Sequence, residues 1–247
     1  MPPEAYEKFF QAELTREKET YYNQEAFKEI EPAFLNLVRK LRTGIEEGKF
    51  DFLISDDVDG RIVTLALKKI IQRLNSTINP QTFFFPSRRK GDYGSFLRSE
   101  QNKRLAGYLS EAAKNAHKPL IITEHVHTGD TIRNIQNFLK GQGINDFAVA
   151  VLWASKNRRK DGANESTGDV FIGEERERDV SIPRIDFGSD MFSGVEKVQP
   201  REKGDTIELR RRELLNSEDV KDAREDVDLL VQKTINALTN EEVKDQH

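Results

Sequence analysis

The sequence predicts an α/β fold in which helices flank a central parallel sheet, and three observations carry this. Short apolar runs alternate with longer segments of helical period. The runs are apolar throughout, as strands buried on both faces require. Several junctions between a run and the next helical segment are polar and rich in glycine, which suits tight strand-to-helix turns.

Taken in order, Ile30, Phe34, Leu37, Val38, Leu41 and Ile45 mark one face of a lead-in helix that Gly48 stops. Residues 50–55 form an apolar strand, the turn 56–61 follows, and Ile62, Leu65, Ala66, Ile70 and Leu74 line the next helix. A second strand spans 82–86, ending at Pro86, and the Gly-rich, charged stretch 87–96 reads as a loop. Helix 97–116, strand 119–123, helix 131–140 with its stop at Gly141 and Gly143, and strand 147–153 complete the alternation. Then come a charged loop over 156–168, a short strand over 169–173 and an irregular apolar segment over 182–194. A last helix over 217–238 carries Val220, Val227, Leu230, Val231 and Leu238 on one face.

The chain has 247 residues, enough for one sizeable core, and 33% charged residues against 36% hydrophobic, which suits a globular body with solvated ends. Its net charge of −4 lies entirely in residues 201–247, which hold 9 basic and 13 acidic residues. A neutral body with an acidic tail argues against a nucleic-acid partner, which would demand a basic face. The expected organisation is a domain over 1–200, including the helical lead-in, followed by a charged helical arm over 201–247. No run approaches the roughly 18 to 20 apolar residues of a membrane span, and no signal pattern opens the chain, so a cytoplasmic protein is expected. With no Cys and 4 His, disulfides, thiolate zinc sites and thiol nucleophiles are excluded, and any metal would be held by oxygen.

In an open parallel sheet, ligands bind beyond the carboxyl ends of strands. After the strand 119–123 comes Glu124, His125, Val126, His127, Thr128, Gly129, Asp130 and Thr131, opening directly into a helix. Small hydroxyl side chains and unpaired amides at a helix start suit a phosphate. The plainer reading is a helix cap supplied by Thr128 or Asp130.

This string, from Leu120 to Ile132, resembles the phosphoribosyl-diphosphate (PRPP) loop of type I phosphoribosyltransferases, an apolar strand, two acids, a short apolar stretch and Thr-Gly-x-Thr. The turn Asp57, Val58, Asp59, Gly60, Arg61 resembles that family's pyrophosphate loop, and the likeness covers roughly residues 30–195. It implies a small-molecule phosphoribosyl or nucleotide ligand and transfer of phosphoribose to a purine-type base, and it leaves room for a homodimer. By resemblance, Thr128, Gly129, Asp130 and Thr131 hold the 5′-phosphate and Glu124 the ribose, with His127 where purine enzymes place an acid near the base. Val58, Asp59, Gly60 and Arg61, with Arg88 and Arg89, would hold pyrophosphate; Lys156 and Phe171 would contact the base. Mg²⁺ would be the cofactor, with Asp59 and Glu124 as its protein ligands. The pattern departs from the family at the acidic pair, because Thr123 stands where one acid belongs.

Two other classes fit parts of the pattern. Asp57 and Asp59 followed by Gly60 resemble the nucleophile motif of haloacid dehalogenase-type phosphatases, with Thr123, Lys156, Asp186 and Asp190 as further matches. That mechanism gives the Thr128–Thr131 helix start no task. A non-catalytic phosphate-binding module of the same fold is the third, with Asp56, Asp57 and Asp59 as a solvated turn and Arg88, Arg89 and Lys90 as a solvated loop.

Overall fold

Five apolar runs become strands: β1 (Phe52–Asp56), β2 (Gln81–Phe85), β3 (Leu120–Val126), β4 (Ala148–Ser155) and β5 (Asp169–Arg176). The helices are α1 (Gln24–Glu46), α2 (Arg61–Leu74), α3 (Glu100–Asn115), α4 (Asp130–Gly141) and α5 (Ser217–Asp245). The computed structural model describes residues 20–21, 24–56, 60–85, 100–126, 129–156, 169–176 and 217–245. Among them the expected fold class holds. The strands form one sheet in the order β2-β1-β3-β4-β5, and every neighbouring pair is parallel.

The sheet is covered on both faces. Leu53, Leu120, Ile122, Ala148 and Ala150 pack with α1, α2 and α5 on one side. Phe52, Ile54, Ile121, Val149 and Val151 pack with α3 and α4 on the other. This arrangement follows from the chain path: α2 carries the chain from β1 outward to β2, whereas α4 carries it from β3 the opposite way to β4. Crossovers of one hand that travel in opposite directions put their helices on opposite faces.

Two details fix α1 on the sheet. A Cβ at Gly173 in β5 would stand 2.4 Å from the Ala33 carbonyl oxygen and 2.7 Å from that of Leu152, so only glycine lets the helix approach this closely. The Lys40 ammonium donates to the Ile172 carbonyl at 2.6 Å, covering part of an outer strand.

The acidic tail behaves otherwise than an appended arm. Val227, Leu229, Leu230, Val231 and Leu238 of α5 are buried in the same core as α1 and α2, with Leu230 and Val231 wholly covered. The helix also runs past the expected end at Leu238, to Asp245. Surface pairs from Lys69 to Asp228 and from Arg39 to Glu241 tie it to α2 and α1. No helix among the described residues is long and apolar enough to cross a membrane.

Candidate functional site

The winding direction reverses between β1 and β3, and their carboxyl ends flank the crevice where open α/β sheets bind ligands. Both glycine-bearing turns singled out in the sequence adjoin it. Gly60 follows β1 and caps α2, accepting from the Thr64 amide at 2.9 Å. Gly129 follows β3 and caps α4, accepting from the Arg133 amide at 2.8 Å.

Both cap residues are glycines, with no side chain of their own to satisfy the first-turn amides. The residue at the cap position of α4 is Gly129. Gly129 adopts φ 71°, a left-handed conformation that favours glycine strongly. Because α2 and α4 lie on opposite faces, two positive helix ends converge on one crevice from both sides.

Glu124 lies within β3, not in a loop. The strand continues through His125 and Val126, which pair with Trp153 and Ala154 of β4. The ladder passes from the Thr123–Val151 pair to the His125–Trp153 pair without Glu124 and Leu152, and between β4 and β5 it likewise omits Leu152 and Gly173. Glu124 is only 5% exposed and Thr123 only 3%. Thr123 pairs with Val151, which faces α4, and its hydroxyl donates to the His125 carbonyl at 3.4 Å. Consecutive strand residues point to opposite faces, so an acid at 123 would enter the α4 layer rather than join Glu124.

Arg61 opens α2, and its guanidinium carbon lies 4.9 Å from the centroid of the Phe84 ring of β2. Lys156 is exposed immediately past β4. Just before it, the Ser155 hydroxyl is buried with no hydrogen-bond partner.

Phe171 stands apart from these residues. It pairs with Ala150 in mid-sheet, packs into the α1 core, and meets Phe50 edge-on at 6.4 Å. The aromatic nearer the carboxyl edge is Trp153, fully buried, with the Arg176 guanidinium 4.9 Å from its ring centroid. Glu174 accepts from the Trp153 indole at 3.2 Å and from Arg176 at 3.0 Å, while Glu29 accepts from Arg176 at 3.2 Å. Phe84, Trp153, Ser155 and Arg176 went unnoticed in the sequence, where each reads as ordinary strand. The available signals were that Trp153 is the only tryptophan and that Phe84 lies near the end of the strand after Arg61.

Val58, Asp59, Arg88, Arg89, His127 and Thr128 lie outside the described residues, as do Asp57, Asp186 and Asp190, and of Asp130 only the backbone is described. Of the two expected magnesium ligands this leaves Glu124, and no group of three or more acidic or imidazole side chains among the described residues could hold a metal. A lone carboxylate fits Mg²⁺ that arrives with phosphate oxygens as its other ligands. Compared with protein-family models and with curated proteins, the chain finds no match.

Proposed function

We propose that the chain is a phosphoribosyltransferase-like protein that binds PRPP or a nucleoside monophosphate in the β1/β3 crevice and transfers phosphoribose to a purine-type base. The observation that carries this reading is the convergence of two glycine-capped helix starts, at Gly60 and Gly129, on the point where the sheet reverses its winding. Both carry the sequence likeness to phosphate loops, and a ligand with phosphate at each end of a ribose spans two such sites.

In this reading residues 128–131 take the 5′-phosphate through backbone amides and hydroxyls. Glu124 accepts hydrogen bonds from the ribose hydroxyls. Residues 58–61 hold the departing pyrophosphate, with Arg61 stabilising the charge that grows as the glycosidic bond breaks. Magnesium bound with pyrophosphate would supply further neutralisation of that charge. Lys156, exposed just past β4, would contact the base.

A second reading is a nucleotide-binding module without transfer, and it is favoured by one observation: the partly buried Phe171 packs edge-on against Phe50 beside the α1 core. Titration with PRPP, purine monophosphates and pyrophosphate, with and without Mg²⁺, separates the readings when paired with an assay for base consumption. Binding with turnover supports the transferase, and binding without turnover supports the module. Gly129→Val should abolish monophosphate binding, a loss of more than about 100-fold, because it obstructs the phosphate and forces a branched residue into a left-handed conformation. Unchanged affinity in that variant sinks the assignment of the loop. Hydrolysis of a generic phosphate ester that disappears in Asp57→Asn would replace both readings with the phosphatase.

A further inference from the structure

Thr64 lies in the first turn of α2, wholly buried, and its hydroxyl has no hydrogen-bond partner among the described residues. A threonine inside a helix can turn its hydroxyl back to the carbonyl four residues earlier. In α5, Thr234 donates in this way to the Leu230 carbonyl at 2.8 Å and Thr239 to that of Ile235 at 3.0 Å. The Gly60 carbonyl stands in the same relation to Thr64 and accepts its amide at 2.9 Å, yet the hydroxyl does not join it. A buried hydroxyl left this way destabilises the ligand-free chain, and such a group in a native core calls for an explanation.

The surroundings supply one. α2 packs across β1, β3 and β2 and begins at their carboxyl ends, so its first turn lies at the level of the crevice. Helix side chains tilt toward the helix start, which aims Thr64, on the sheet-facing side, at the floor of the crevice. The same face of the sheet carries two further buried polar groups there. Ser55 stands two residues beyond Leu53, and Glu124 two beyond Ile122, the β3 partner of Ser55. Each of these already has a contact of its own, but the two oxygens of a carboxylate accept several hydrogen bonds. We propose that Thr64 is a positioning residue: when ribose hydroxyls engage Glu124, the Thr64 hydroxyl donates to that carboxylate from beneath and holds it toward the crevice. This rests on the reading of the crevice as a PRPP site. A hydroxyl that is unsatisfied in the ligand-free chain and satisfied in the complex adds to affinity for a ligand that carries a ribose, and not to affinity for pyrophosphate. It offsets the acid missing at Thr123, whose side chain belongs to the α4 layer.

The test is calorimetric titration of PRPP with Mg²⁺, and of magnesium pyrophosphate, into the full chain and four variants: Thr64→Val, Thr64→Ser, Glu124→Ala and the double variant of Thr64→Val with Glu124→Ala. Chemical denaturation of the ligand-free wild type and Thr64→Val runs beside it. Thr64→Val keeps the shape and removes the hydroxyl, so PRPP affinity should fall about 3- to 10-fold while pyrophosphate affinity holds. The denaturation midpoint of Thr64→Val should hold or rise, because the lost hydroxyl had no partner. Thr64→Ser should bind PRPP as wild type does, and Thr64→Val should cost nothing further once Glu124 is Ala. Four outcomes overturn the positioning role while leaving the crevice reading intact: wild-type PRPP affinity in Thr64→Val when Glu124→Ala binds weakly, an equal loss for PRPP and pyrophosphate, a lowered midpoint in Thr64→Val, or a Thr64→Val loss that persists in full in the double variant. Absence of PRPP binding to the wild-type chain would instead remove the crevice reading and the proposal with it.

Discussion

The amino ends of the sheet and the crevice at the carboxyl ends of β1 and β3 present different polar groups. At the amino ends the chain pairs its own charges. Lys118 lies between Asp146 and Asp169, 2.9 Å from each. Asp51 accepts from the His117 amide at 3.0 Å and contacts its ring Nδ1 at 2.7 Å. The Asn75 side chain donates to the Ile45 and Glu46 carbonyls that end α1, beside the left-handed Gly48. At the carboxyl ends of β1 and β3 two helices start on glycines, and the nearby Ser155 hydroxyl is buried with no hydrogen-bond partner among the described residues, while farther along the edge Arg176 pairs with Glu174 and Glu29. The closed end serves stability. The open end sets two glycine-capped helix starts beside the crevice.

The contrast is sharpest in the core beneath both ends. Leu230→Ala should destabilise the fold by about 2–5 kcal/mol in chemical denaturation, because α5 is part of the core. A change below about 0.5 kcal/mol, typical of surface sites, would return the helix to the status of a loose arm.

At the open end, Thr123→Asp should cost about 2 kcal/mol or more of stability without improving PRPP affinity, since the new carboxylate enters the α4 layer. Glu124→Ala should weaken PRPP binding roughly ten- to a hundredfold by removing a charged hydrogen-bond acceptor. Tighter PRPP binding by Thr123→Asp would show that residue 123 reaches the ribose after all, and unaltered affinity in Glu124→Ala would remove the ribose from this strand.

The closed end gives the smallest effect, in alkaline solution. Hydrogen bonds to Asp146 and Asp169 hold the Lys118 ammonium above its ordinary pKa of 10.5. The stability it contributes is complete below that value and is lost as pH rises through the raised one. Burial, with the Glu31 hydrogen bond, raises the Tyr21 phenol in the same sense, so the comparison must be between wild type and Lys118→Met. The stability difference between them should shrink as pH rises above about 10.5; a constant difference would mean that the pairs contribute nothing through charge.

Much of this architecture is legible in the sequence because a parallel sheet writes its strands as unbroken apolar runs and its helices as stripes. Legibility fails where a residue's neighbours come from elsewhere in the chain. Glu124 and His125 look like loop residues, yet the pairing of His125 with Trp153 and of Val126 with Ala154 carries the strand through them. The charge of residues 217–245 hides a stripe that only α1 and α2 can bury. Phe171 near a strand end suggests a base platform, and its contact with Phe50 and the α1 core depends on elements distant in sequence. Gly60 and Gly129 were readable because a glycine between strand and helix has a local, backbone reason.

The central claim is that the open end is a two-headed phosphate site, and the most direct measurement is amide chemical-shift mapping during titration with PRPP and Mg²⁺. The account expects the largest shifts at Gly60, Arg61 and Ile62 and at Gly129, Thr131 and Ile132, with Lys118, Asp146 and Asp169 at the other end unmoved. Saturable shifts confined to the amino ends, or none at either helix start at millimolar PRPP, would contradict it.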